Sequence, residues 1–145
     1  MHYFLAERDV QKRHPGSRAI LLDQDDFVTE APTANVVICD QDGRLFAPPL
    51  ERTLSGISLK VVNELAVGFA IPFEFRPLTV ADLEAAREIL FTSTPYCVLA
   101  VTELNGKPVG SGKPGDVFAK ILAAWSDLVR VDIVAQAEKF CNRNS

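Results

Sequence analysis

The tightest constraint on the fold is an Asp-Gly pair, Asp42-Gly43, set between the apolar run Asn35 to Asp40 (NVVICD) and Leu45-Phe46. Asp-Gly accepts the positive φ angles of a tight connection, and β-branched residues favour extended backbone, so the segment reads as a hairpin. Asn105-Gly106 repeats the signal late in the chain. Further short extended runs are expected at Arg18 to Asp23, Phe27 to Thr29, Ile71 to Arg76, Glu88 to Thr92 and Cys97 to Thr102.

Helical spacing fills the gaps between these runs. Tyr3, Ala6 and Val10 precede Pro15-Gly16; Ile57, Val61, Leu65 and Phe69 recur every four residues, with Ser55 as the expected N-cap. Thr79 and Asp82 have capping-box spacing and open a short helix ending near Arg87. Val117, Ile121, Trp125 and Leu128 mark a longer helix, and another is expected from Asp132. This order lacks the βαβ alternation of a doubly wound sheet. The expected class is α+β, a mixed, barrel-like sheet flanked by helices, in one domain spanning residues 1–145.

Charge excludes some functions. A net charge of -4 with scattered Lys and Arg gives no basic face for nucleic acid. Cys39, Cys97 and Cys141 are odd in number and irregularly spaced, which fits neither a disulfide framework nor a metal ligand set and points to a reducing cytoplasm. No apolar run reaches the roughly 18 residues of a membrane span, and Glu7, Arg8 and Asp9 interrupt any signal-peptide core, so no membrane association is expected. His2 and His14 stand alone, so no metal site is expected.

Gly110-Ser111-Gly112-Lys113-Pro114-Gly115 spells GxGxxG, but it follows a polar hairpin instead of a buried strand, so it reads as a loop leading into a helix. Three other segments carry more. Val28 to Ile38 (VTEAPTANVVI) ends a short strand on a carboxylate, Glu30, just before a turn and an apolar strand. Leu54-Ser55-Gly56-Ile57-Ser58, shortly after Pro48-Pro49, opens a helix with free N–H groups and a hydroxyl, a natural phosphate site. Leu90-Phe91-Thr92-Ser93-Thr94-Pro95-Tyr96 ends a strand in hydroxyls.

In this order the three segments resemble the C-terminal domain of class IV aminotransferases, the family of branched-chain and D-amino-acid aminotransferases and aminodeoxychorismate lyases. There a T/S-E-G-x-x-x-N-x-F/I stretch, a P-G-I-T helix start and an S/T-G/S-T strand end surround pyridoxal phosphate. Val101 to Gly115 (VTELNGKPVGSGKPG) is similar to that family's hairpin and last loop. The resemblance implies that Glu30 faces the pyridine nitrogen and keeps it protonated. It also implies that Ile57, Ser58 and Thr94 serve the phosphate, that Tyr3 lies near the ring hydroxyl, and that Asn35 supports the turn after Glu30. Pro95 and Tyr96 would lie at the substrate. Amino-group transfer from an amino acid to a 2-oxo acid, or the lyase reaction, is the implied activity.

The chain also departs from the pattern. Ser55 stands where the family has proline and Leu59 where arginine is common; Pro95 follows Thr94 where relatives offer a substrate carboxylate a backbone N–H, which proline lacks. The Schiff-base lysine of the family lies a few residues before the segment that His2-Tyr3-Phe4-Leu5 resembles, and none of Lys12, Lys60, Lys107, Lys113, Lys120 and Lys139 takes its place. The expectation is therefore a C-terminal portion without a catalytic residue of its own, or alternatively a stand-alone binding or oligomerisation module. The missing domain face predicts a homo-oligomer formed through exposed apolar surface.

Overall fold

The structure is a computed structural model and describes residues 2–141; the side chains of His2 and Cys141 lie outside the described residues. The chain opens with α1 (His2–Arg13), then β1 (Glu30–Ala31), β2 (Ala34–Cys39) and β3 (Leu45–Ala47). Next come α2 (Ile57–Gly68), β4 (Phe73–Phe75), α3 (Val80–Ala85), β5 (Glu88–Ser93) and β6 (Cys97–Val101). The hairpin β7 (Glu103–Leu104) and β8 (Lys107–Pro108) precedes α4 (Asp116–Val129) and α5 (Ile133–Cys141).

The main sheet runs β4-β3-β2-β5-β6, with β1 added to β2. Only β3 and β4 pair in parallel, so the sheet is mixed and the class is α+β, as expected. β1 and β3 share one edge of β2: β1 lies against Ala34 and Asn35, β3 against Ile38 and Cys39. β5 takes the whole opposite edge, from Asn35↔Thr92 to Cys39↔Glu88.

Strand alternation explains why β2 and β5 are buried along their full length. Val36, Ile38, Ile89 and Phe91 pack on one side with Val28, Leu78, Leu83 and Ala86. Val37, Cys39, Leu90 and Val98 pack on the other beneath Leu59, Val62 and Ala66 of α2 and Val117, Ile121 and Trp125 of α4.

Both glycine turns form where the sequence places them. Asp40 Oδ1 accepts from the amides of Asp42 and Arg44 at 3.0 and 2.9 Å, and Gly43 has φ +81°. Asn105 and Gly106 both have positive φ, 50° and 78°, the signature of a tight hairpin. The capping box is also present: Asp82 N donates to Thr79 Oγ1, and Thr79 N donates to Asp82 Oδ2 at 2.8 Å.

Other local expectations are corrected. Arg18 to Asp23 and Phe27 to Thr29 make no continuous strands, only an isolated bridge between Leu22 and Val28, because the register slips beside it: Leu21 accepts from the Thr29 amide but donates its own amide to Glu30 O. Ile57, expected on the packed face of α2, is 79% exposed; the buried residues are Ser58, Leu59, Val62 and Ala66. The N-cap is Gly56, not Ser55, and no side chain caps the helix. Leu128, expected on the packed side of α4, is 62% exposed; the buried residues of that helix are Val117, Ile121 and Trp125. Among the described residues, no helix is long and apolar enough to cross a membrane.

Candidate functional site

β1 and β2 form a tight hairpin around Pro32-Thr33, which places Glu30 directly opposite Asn35. On the other edge of β2, Thr92 is the partner of Asn35. Directly opposed residues of antiparallel strands share a sheet face. Glu30, Asn35 and Thr92 therefore form a polar row across three strands, on the side covered by α2.

Glu30 is 5% exposed and accepts three hydrogen bonds: from Tyr3 Oη at 2.7 Å, Thr53 Oγ1 at 2.9 Å and the Leu54 amide at 3.1 Å. No ion pair to it occurs among the described residues. Asn35 Nδ2 donates to Thr53 Oγ1 at 2.9 Å and to the Leu54 carbonyl at 2.7 Å. The acid and the amide thus hold the same two residues of the loop leading into α2. Immediately afterwards Gly56 presses onto Asn35 so closely that a Cβ there would overlap Asn35 Oδ1.

This contact brings the start of α2 over the polar row. The first amides of the helix have no intrahelical acceptor, and the absence of a side-chain cap leaves them open to an external one. Thr92, which is 1% exposed, carries a buried Oγ1 without a hydrogen-bond partner. Ser93 Oγ donates to Thr33 O at 2.6 Å and fixes the turn beyond Glu30.

Tyr3, Glu30, Asn35, Ile57, Ser58 and Thr94 all line one cleft of about 290 Å³, together with Thr92 and Ser93. Pro95 and Tyr96 lie outside that lining. Tyr96 packs against the opposite core, its ring near Arg18 and its hydroxyl close to Ser93 and Thr33 without a well-formed hydrogen bond. Thr53 lies outside the motif segments, and Leu54 and Thr92 lie within them without an assigned role. Thr53 and Leu54 give no local signal, whereas Thr92 follows from strand parity once the registers of β1, β2 and β5 are known.

The cleft is lined by two chemically opposite groups. The Glu30 carboxylate can receive a donor or a positive charge, and the α2 amides can receive an anion. Tyr3, still 43% exposed, has a hydroxyl held above its usual pKa, first by its hydrogen bond to Glu30, then by burial and the neighbouring charge.

The sequence matches the family described as Amino-transferase class IV over residues 1–104. The chain belongs to the class IV aminotransferase family. This class IV chain is 30% identical over 120 residues to the branched-chain-amino-acid aminotransferase of Pseudomonas aeruginosa, covering 83% of this chain and 39% of that protein. It is 31% identical over 111 residues to the D-alanine aminotransferase of Bacillus licheniformis, covering 77% of this chain and 39% of that protein. Among solved structures it is similar to the T.th. branched-chain amino acid aminotransferase with pyridoxamine 5'-phosphate, with a TM-score of 0.77 and 25% identity over 82% of this chain and 39% of that one. The class IV chain thus spans about two fifths of the length of these relatives.

Proposed function

We propose that this chain is the cofactor-cradling portion of a pyridoxal-phosphate-dependent aminotransferase, which moves an amino group from an amino acid to a 2-oxo acid. One observation carries the reading: a buried carboxylate with no cationic partner among the described residues shares a cleft with an uncapped helix N-terminus. A protonated pyridine with a phosphate at its other end matches both groups. When bound, pyridoxal phosphate supplies an electron sink for bond breaking at the amino acid's α-carbon. Glu30 would hold the proton on the ring nitrogen, and Ile57, Ser58 and Thr94 would bind the phosphate. Asn35 keeps the loop before α2 fixed to the acid, and Tyr3 would lie near the ring hydroxyl.

The reading assigns binding and orientation to these residues and no proton shuttle to any of them. The purified chain is therefore expected to bind pyridoxal 5'-phosphate without catalysing amino transfer unaided. Calorimetry tests the first part: Glu30→Ala and Ser58→Ala should each weaken binding roughly ten-fold or more, in line with the loss of charge-assisted hydrogen bonds. A wild-type chain that ignores millimolar ligand would end the proposal. Turnover by the chain alone would overturn the division of labour.

Exposed Phe4, Leu54 and Ile57 support the proposal that the chain self-associates. A homo-oligomer in light scattering is expected, and a monomer at high concentration would contradict it.

A further inference from the structure

We infer that Thr92, through its side-chain hydroxyl, is the deep anchor of the anion held at the start of α2. This deepens the reading above and rests on it. The register places Thr92 beside Asn35 on the face covered by α2, and the cleft reaches it. Its Oγ1 is buried and has no partner, although Ser93 next to it is satisfied by Thr33 O. A buried hydroxyl without a hydrogen bond lowers stability, and such a group commonly marks a place where a ligand completes the arrangement.

Two features decide what that ligand atom is. The start of α2 lies directly over the row because Gly56 has no Cβ to hold it away from Asn35. Its amides present only donors, so the atom they share with Thr92 must be an acceptor, and the helix end favours one that carries negative charge. A phosphate oxygen fits: the helix amides hold it from above, and the Thr92 hydroxyl donates from the sheet floor. Thr94, by contrast, is exposed at the cleft's edge. Thr92 is thus the inner donor and Thr94 the outer one.

The test compares Thr92→Val, which keeps the shape and removes the hydroxyl, with Thr92→Ser, which keeps the hydroxyl. Dissociation constants are measured for pyridoxal 5'-phosphate and for pyridoxal, and thermal unfolding is followed without ligand. Thr92→Val should bind pyridoxal 5'-phosphate about ten- to a hundred-fold more weakly, with pyridoxal unaffected. Thr92→Ser should stay within about three-fold of wild type, since it retains the donor. The ligand-free Thr92→Val chain should unfold at the same temperature as wild type or higher, because it loses an unpaired buried hydroxyl. Equal binding of pyridoxal 5'-phosphate by Thr92→Val and wild type would overturn the role of Thr92 and leave the proposed function standing. A lowered unfolding temperature, or failure of Thr92→Val to fold, would show that the hydroxyl serves the structure and would also overturn the inference. If wild type binds neither compound, the proposed function fails and this inference falls with it.

Discussion

The hydroxyl of Tyr3 donates to Oε1 of Glu30 at 2.7 Å, tying the first turn of α1 to β1. The hydrogen bond and the negative charge both favour the neutral phenol, so Tyr3 ionises above its ordinary value of 10.0 in the folded chain. The associated stabilisation is fully present below pH 10 and disappears as the pH rises through the Tyr3 midpoint. Glu30→Gln should bring that midpoint down. The measurement is phenolate absorbance on a Tyr96→Phe background, where Tyr3 is the only tyrosine. An unmoved midpoint would mean that the Tyr3–Glu30 bond does not form in solution.

Gly56→Ala and Gly68→Ala should change stability in opposite directions. A Cβ at position 56 overlaps the Asn35 side chain, so α2 or Asn35 must shift, at a cost of about 1–3 kcal/mol. A Cβ at position 68, the last residue of α2, meets nothing within 4 Å, and alanine there should stabilise by about 0.5–1 kcal/mol. Urea midpoints measured on both variants check the contrast.

Glu88 is buried and caps α4 from a distant strand, accepting from the amides of Val117 and Phe118 at 3.0 and 2.9 Å. Glu88→Ala leaves those amides without acceptors and should cost about 2–4 kcal/mol, whereas Glu88→Gln keeps one acceptor and should cost less. Denaturant unfolding of the two variants gives the comparison. Equal losses would show that a neutral acceptor at position 88 contributes nothing and that the cap depends on the charge.

Burial of Asp82 opposes its ionisation, but hydrogen bonds from Arg76, the Thr79 amide and the Thr79 hydroxyl outweigh it and hold the carboxyl at about 2. Because the folded value is depressed, this stabilisation is present above the unfolded value near 3.8 and is lost as the pH falls from there through about 2. Thr79→Ala should cost about 1 kcal/mol at neutral pH. In thermal scans between pH 5 and 2, Asp82→Asn should show a shallower acid loss than wild type.

Features set by neighbours in sequence were the readable ones. Asp42-Gly43, Asn105-Gly106 and the Thr79–Asp82 box each act within four residues, and each forms as the residue types require. The packed face of α2 was not readable, because Ile57, Leu59, Val61, Val62, Leu65 and Ala66 surround the helix with apolar groups and no single stripe stands out. The contact of Gly56 with Asn35 selects the face, and it depends on the tertiary fold. Likewise Glu30 and the start of α2 could be named from their motifs. Their connection through Thr53 and Leu54, and the cap that Glu88 gives α4, join residues more than twenty positions apart without any local trace.

β2 is paired with β5 along one edge and with β1 and β3 at the two ends of the other, it is buried on both faces, and the polar row that floors the cleft is part of it and of its neighbours. Amide protons of Val36, Val37 and Ile38 should therefore exchange with deuterium only when the whole domain opens, while those of α1 exchange through local fraying. The platform beneath the cleft would then be the last part of the molecule to come apart, and the Tyr3 side of the cleft the first.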